Sequence, residues 1–177
     1  ITQSVSGNRY LGTQVLYAVK HQSAWETIIL SWLLAAPAFV LKRELLSLPI
    51  IGWFFLKTGC IPVDRTAGMK ALRNMRIAGQ DLAKKGRSML IFPQGTRVKV
   101  DDRAPFKKGV GRIYESLNIS CIPVALNSGN VWPKKGIIKY PGKITISFLE
   151  PIKPGLNRDD FIKSLEMKIY DEINKIS

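Results

Sequence analysis

Between residues 69 and 84, apolar Met69, Leu72, Met75, Ala78 and Leu82 recur three or four positions apart among Lys, Arg, Gln and Asp, bounded by Gly68 and Gly86. That spacing puts them on one stripe of a helix. A second helical stripe, Phe161, Leu165, Ile169, Ile173 and Ile176, follows Asn157 as a predicted N-cap, with Asp159 and Asp160 suited to the positive end of the helix. Helical spacing also covers residues 110–117, and a helix is expected from about Ala24 toward Leu34. Between these segments lie short, nearly continuous apolar runs at 15–19, 59–63, 88–92, 121–126 and 143–149. Runs of that length bounded by turn residues read as buried strands. Strands alternating with helices predict an α/β fold, a single domain with a mixed central sheet flanked by helices; no internal repeat or linker divides the chain.

Two stretches do not fit the alternation. Residues 27–41 carry no charge and include Trp32, Leu33, Leu34, Phe39 and Val40; residues 45–56 are similar and include Ile50, Ile51, Trp53, Phe54 and Phe55. Each is shorter than the roughly 18–20 residues needed to cross a bilayer as a helix, and Pro37 and Pro49 interrupt them. With Lys42, Arg43 and Lys57 at their ends they read either as core helices or as segments that dip into a membrane interface.

Composition narrows the partners. Twenty-seven Lys and Arg against thirteen Asp and Glu give a net charge of +14, which calls for an anionic partner. Neither a long basic tract nor aromatics interleaved with Arg is present, so a phosphorylated small substrate or an anionic bilayer surface fits better than nucleic acid. Cys60 and Cys121 lack zinc-type spacing and read as reduced thiols. The sequence starts at Ile1 with no signal-peptide pattern, and the expectation is a fragment lacking an N-terminal membrane-anchoring segment.

The candidate chemistry starts at His21, the single histidine, which has Glu26 five positions later. Histidine is the side chain best poised to accept a proton near neutral pH, and a carboxylate can fix its tautomer; a loop histidine beside a solvated acid has the same pattern. After the 88–92 strand comes Phe92-Pro93-Gln94-Gly95-Thr96-Arg97, in which a glycine frees the backbone and a hydroxyl and guanidinium suit a phosphate. Turns collect these residue types in any case. Arg65 lies just past the 59–63 strand, so His21, Arg65 and Arg97 are expected to converge outside the carboxyl ends of strands.

Taken in order, these runs resemble the glycerolipid acyltransferase family, most closely the bacterial 1-acyl-glycerol-3-phosphate acyltransferases. The family's blocks are Asn-His-x4-Asp, Gly-x-Ile-x-x-x-Asp-Arg, Phe-Pro-Glu-Gly-Thr-Arg and a late Val-Pro-Val. They correspond here to residues 20–26, 59–65, 92–97 and 121–125, with further support at 39–45 and 105–109. The resemblance implies the glycerolipid acyltransferase fold. It implies His21 as general base, Glu26 as its orienting acid, and Arg65, Gln94, Gly95, Thr96, Arg97 and more weakly Lys42 as substrate-binding residues. Ser23 and Cys60 are nucleophiles on paper only, since thiolate is already a good leaving group and direct transfer is simpler. Pro123 is expected to be structural or part of the acyl-donor wall.

The activity so implied moves a fatty acyl group from acyl-CoA or acyl carrier protein to the sn-2 hydroxyl of 1-acyl-glycerol-3-phosphate (lysophosphatidic acid), giving phosphatidic acid. No metal or cofactor is called for, the acyl thioester being a co-substrate. The enzyme is expected at an anionic membrane surface with its site facing the cytoplasm, on the inner membrane if bacterial. Two departures bear on this. Glu26 stands where the family has Asp, which lengthens the acid by a methylene, and Gln94 stands where it has Glu, which removes a charge beside the expected phosphate site. They leave open another acceptor, such as glycerol-3-phosphate or a lysophospholipid, or a silent protein that binds anionic lysolipid.

Overall fold

A computed structural model describes residues 1–64, 67–134 and 138–177. The strands are β1 (Thr2–Ser6), β2 (Leu16–Val19), β3 (Ala38–Lys42), β4 (Ile61–Val63), β5 (Met89–Ile91), β6 (Cys121–Leu126) and β7 (Lys143–Phe148). The helices are α1 (Trp25–Leu33), α2 (Ile51–Lys57), α3 (Gly68–Lys84), α4 (Lys108–Leu117), α5 (Ser128–Val131) and α6 (Arg158–Ile176), with a 3-10 turn at Arg43–Ser47. The strands form one sheet in the order β1-β7-β6-β2-β5-β3-β4. From β6 to β4 every neighbouring pair is parallel, whereas β6 and β7 are antiparallel, so the sheet is mixed as expected.

Parallel strands need crossover helices, and these helices bury both faces of the sheet. On one face Leu16, Ala18, Met89 and Ala125 pack with Met75 and Leu82 of α3, Ile113 of α4, and Phe161 and Leu165 of α6. On the other, Tyr17, Val19, Leu90 and Val124 pack with Leu30 and Leu33 of α1 and with Phe148. The last helix follows its sequence signals: the Asn157 side chain accepts the Asp160 N–H at 3.0 Å, and Phe161, Leu165, Ile169 and Ile173 are buried.

The apolar run at 27–41 is not one helix. Its first part is α1 and its last part is β3, which pairs with both β5 and β4. The break comes at Ala35 and Ala36, whose φ angles of 51° and 57° are rarely adopted by residues with a Cβ, followed by Pro37. A buried strand and a buried helix give the same unbroken apolar signal, so the periodicity held no hint of the join. Residues 45–56 divide between the 3-10 turn and α2, and neither is buried as a core helix: Ile50, Trp53 and Leu56 are 82%, 64% and 62% exposed.

The site is positioned by this topology. Because β6, β2, β5, β3 and β4 are parallel, the residues after Leu126, Val19, Ile91, Lys42 and Val63 all emerge at one edge of the sheet. That edge is where an open α/β sheet has its ligand crevice.

Candidate active site

His21 leaves β2 at this edge, and its Nδ1 lies 3.0 Å from Glu26 Oε1. The carboxylate can only accept, so Nδ1 carries the proton and Nε2 is left with its lone pair. The imidazole stacks on Phe92, with ring centroids 3.9 Å apart, and its side chain is 18% exposed.

Glu26 sits in the first turn of α1, and Ala24 at the N-cap provides no side-chain cap. Its carboxylate bends back over the preceding loop instead. Oε1 accepts the N–H groups of Gln22 at 2.5 Å and Ser23 at 2.8 Å; Oε2 accepts the hydroxyls of Ser23 at 2.6 Å and Ser128 at 2.7 Å. The extra methylene relative to aspartate therefore still reaches the imidazole. Burial of this residue opposes ionisation and is the largest single influence on its pKa, but the bonds from His21 and Ser23 together hold the pKa below the usual carboxylate range.

The second element is the turn after β5. Pro93 ends the strand, the Gly95 N–H closes the turn onto the Phe92 carbonyl at 2.9 Å, and Gly95 takes φ 71°, a conformation that favours glycine. Gln94 is 2% exposed and faces inward: its Oε1 accepts the His21 N–H at 3.2 Å, so it supports the His21 loop rather than the cavity. Thr96 is exposed and Arg97 half-buried, and neither side chain has a hydrogen-bond or ion-pair partner among the described residues. The 98–102 segment then returns to His21, with the Val98 N–H donating to the His21 carbonyl at 2.8 Å.

Beside these groups lies a cavity of about 440 Å³, within the ~300–1,000 Å³ range of small-molecule sites. His21, Phe92 and Gly95 line one part of it, and Val40, Val63, Met75, Ile91, Val110 and Ile113 form an apolar wall. Lys42, Lys107, Lys108 and Arg112 contribute cations. Lys42 also pairs with Glu44 at 2.8 Å on the exposed rim. An apolar wall, a base and several cations together suit a phosphorylated amphiphile.

His21, Glu26, Gln94, Gly95 and Lys42 are thus brought together, with Thr96 and Arg97 on the outer side of the same turn. Arg65 lies outside the described residues. The two paper nucleophiles are placed against that role. The Ser23 hydroxyl is fully buried and bound to Glu26. Cys60 precedes β4, at the end of the strand opposite to the crevice, and burial raises its thiol pKa. Sequence reasoning missed Ser128, Arg112 and Lys20. Ser128 reaches Glu26 from 102 positions away, a contact without a local sequence signal.

Residues 3–127 match the family model described as acyltransferase. A 1-acyl-sn-glycerol-3-phosphate acyltransferase of Pseudomonas aeruginosa is 40% identical over 127 residues, which is 72% of this chain and 49% of that protein. One of Chlamydomonas reinhardtii is 32% identical over 164 residues, 90% of this chain and 48% of that protein. The chain spans about half the length of these relatives. Among solved structures, the 1-acyl-sn-glycerophosphate (LPA) acyltransferase PlsC from Thermotoga maritima superposes with a TM-score of 0.80 at 22% identity, covering 99% of this chain and 72% of that one. That likeness shows the fold.

Proposed function

The chain belongs to the acyltransferase family, and we propose that it transfers a fatty acyl group from acyl-CoA or acyl carrier protein to the sn-2 hydroxyl of 1-acyl-glycerol-3-phosphate, forming phosphatidic acid. The observation that carries the reading is the His21 Nδ1–Glu26 pair at 3.0 Å, with no partner for Nε2 among the described residues, beside an apolar, cation-bearing cavity. Both compared relatives bear the name 1-acyl-sn-glycerol-3-phosphate acyltransferase, which supports this acceptor.

In the proposed reaction, His21 Nε2 takes the proton of the acceptor hydroxyl as its oxygen attacks the thioester carbonyl. The new C–O bond forms, the C–S bond breaks, and the imidazolium returns the proton to the leaving thiolate. Glu26 stays ionised and stabilises the imidazolium. The Gly95-Thr96-Arg97 turn takes the acceptor phosphate, because among the described residues Arg97 has no competing internal partner, and Lys42 and Arg65 are assigned to the same anion. Acyl chain lies along the Val40–Ile113 wall.

The test is thiol release from acyl-CoA and from acyl carrier protein thioesters in detergent micelles, with and without 1-acyl-glycerol-3-phosphate. Release that requires this acceptor supports the reading. Release with glycerol-3-phosphate or a lysophospholipid instead moves the acceptor, and none with any donor leaves lysolipid binding without turnover.

The same reading places the protein at an anionic leaflet, with the site facing the cytoplasm and the bacterial inner membrane as the expected location. Among the described residues no helix is long and apolar enough to cross a membrane. Support comes instead from α2 and the residue before it, where Ile50, Trp53, Phe54 and Leu56 are exposed and the Lys57 ammonium lies 5.9 Å from the Trp53 ring centroid. Aromatic and aliphatic side chains beside a cation suit an interface of anionic lipid. Replacing Ile50 and Trp53 together by serine is expected to weaken co-sedimentation with phosphatidylglycerol vesicles by roughly tenfold or more, since two such side chains contribute about 1.5–3 kcal/mol each when fully buried. Unchanged vesicle binding would remove this face from the proposal.

A further inference from the structure

Lys20 is the residue before His21, and its ammonium lies on the sheet face covered by α6. It is completely buried, and among the described residues no ion pair reaches it. Its Nζ donates to the Val100 carbonyl and, at 3.0 Å, to the Asp102 carbonyl, and it lies 5.1 Å from the Tyr170 ring centroid on α6. An ammonium buried on carbonyls and a ring face, without a carboxylate in contact, costs folding free energy. Burial lowers its pKa to about 8, with the nearby charges of Asp102 and Asp101 opposing that fall and Arg103 adding to it.

What Lys20 holds explains why such a group is there. The anion-binding turn, Gly95 to Arg97, is flanked on one side by Gln94, which accepts the His21 N–H, and on the other by Val98, which donates to the His21 carbonyl. The chain then runs directly to the two carbonyls that Lys20 binds. Among the described residues the buried Gln94 Nε2 has no acceptor at hydrogen-bond distance, though Gln94 acts on the Tyr170 hydroxyl of α6, lowering its pKa against the effect of burial. We propose that Lys20 is a positioning residue, whose ammonium clamps residues 98–102 and so fixes the anion-binding turn at its working distance from His21. It touches neither the cavity nor a reacting atom. Its effect is on how well the acceptor's phosphate is met when the hydroxyl reaches the base, so the kinetic part of the claim rests on the acyltransfer reading.

The test compares the wild type with Lys20→Met, which keeps the length and removes the charge and its donors. For 1-acyl-glycerol-3-phosphate the KM is expected to rise roughly tenfold with kcat within about twofold, since charge-assisted bonds hold the turn and not the transition state. Hydrogen exchange at the amides of residues 95–102 is expected to accelerate in the variant, with the central amides of α6 unchanged. A third readout detects the buried charge. Because the folded pKa is below that of the unfolded chain, the unfolded state binds more protons between about pH 8 and 10.4, so wild-type stability should rise with pH there relative to Lys20→Met. The charged and titratable groups that face Lys20 are Asp101, Asp102, Arg103 and Tyr170. Where the wild type shows acceptor-dependent release, an unchanged KM in Lys20→Met overturns the proposal. A wild type with no release defeats the acyltransfer reading instead, and the exchange measurement then decides the clamp alone: faster exchange supports it and unchanged exchange overturns it.

Discussion

Replacing His21 by alanine is expected to lower acceptor-dependent thiol release by roughly 10²–10⁴-fold, the contribution of a well-placed general base, with folding intact. Folding should survive because the imidazole is not deep core: it is 18% exposed and its main packing partner is one ring, Phe92. Glu26 would lose one of its partners but keep the two backbone N–H groups and the two serine hydroxyls. Donor and acceptor would still be gathered by the cavity, so the residual rate reflects proximity without the base. The measurement is initial rate beside a circular dichroism melt of the same preparations. A variant with normal melting and release within a few-fold of wild type would take the base role away from His21.

How far the sequence carried the site can be judged from individual residues. The meeting of His21 and the Gly95–Arg97 turn was legible because each follows a short apolar run that had to be a buried strand, and parallel strands deliver their carboxyl ends to one edge; Glu26 was legible only by its spacing from His21. The join of α1 to β3 was not legible, since it depends on left-handed backbone at two alanines. Nor was the role of Gln94. Its neighbours in the motif suit a phosphate, yet its own side chain turns inward to the His21 backbone. Contacts that close the site across the chain, Ser128 to Glu26 and Lys20 to Val100, span 102 and 80 positions and exist only once β6, β2 and β5 lie side by side. Local patterns show which side chains carry chemistry; which of them are committed to holding others is decided by packing.

Glu26 is where that distinction matters most, because it holds the loop and, in the proposed reaction, also serves the base, and a set of substitutions separates the two. Glu26→Ala removes the acceptor for buried donors on Gln22, Ser23 and Ser128 and is expected to cost about 3–5 kcal/mol, as when one partner of a buried pair is deleted. Chemical denaturation would show this as a lower midpoint. Glu26→Gln keeps an oxygen for the backbone amides, and the hydroxyls of Ser23 and Ser128 can rotate to accept from its amide nitrogen, so much of the fold is retained. What it loses is the charge that stabilises the imidazolium, and kcat is expected to fall by about 10²-fold or more with KM little changed. Acid stability gives an independent reading. The folded pKa of Glu26 lies below its unfolded value, so its stabilisation is complete above about pH 4.3 and is lost as pH falls through the folded pKa. Wild type should therefore lose stability below pH 4 more steeply than Glu26→Gln. Equal acid slopes would mean that folding does not lower the Glu26 pKa, and a glutamine variant with undiminished kcat would mean that its charge does not stabilise the imidazolium as His21 takes the proton.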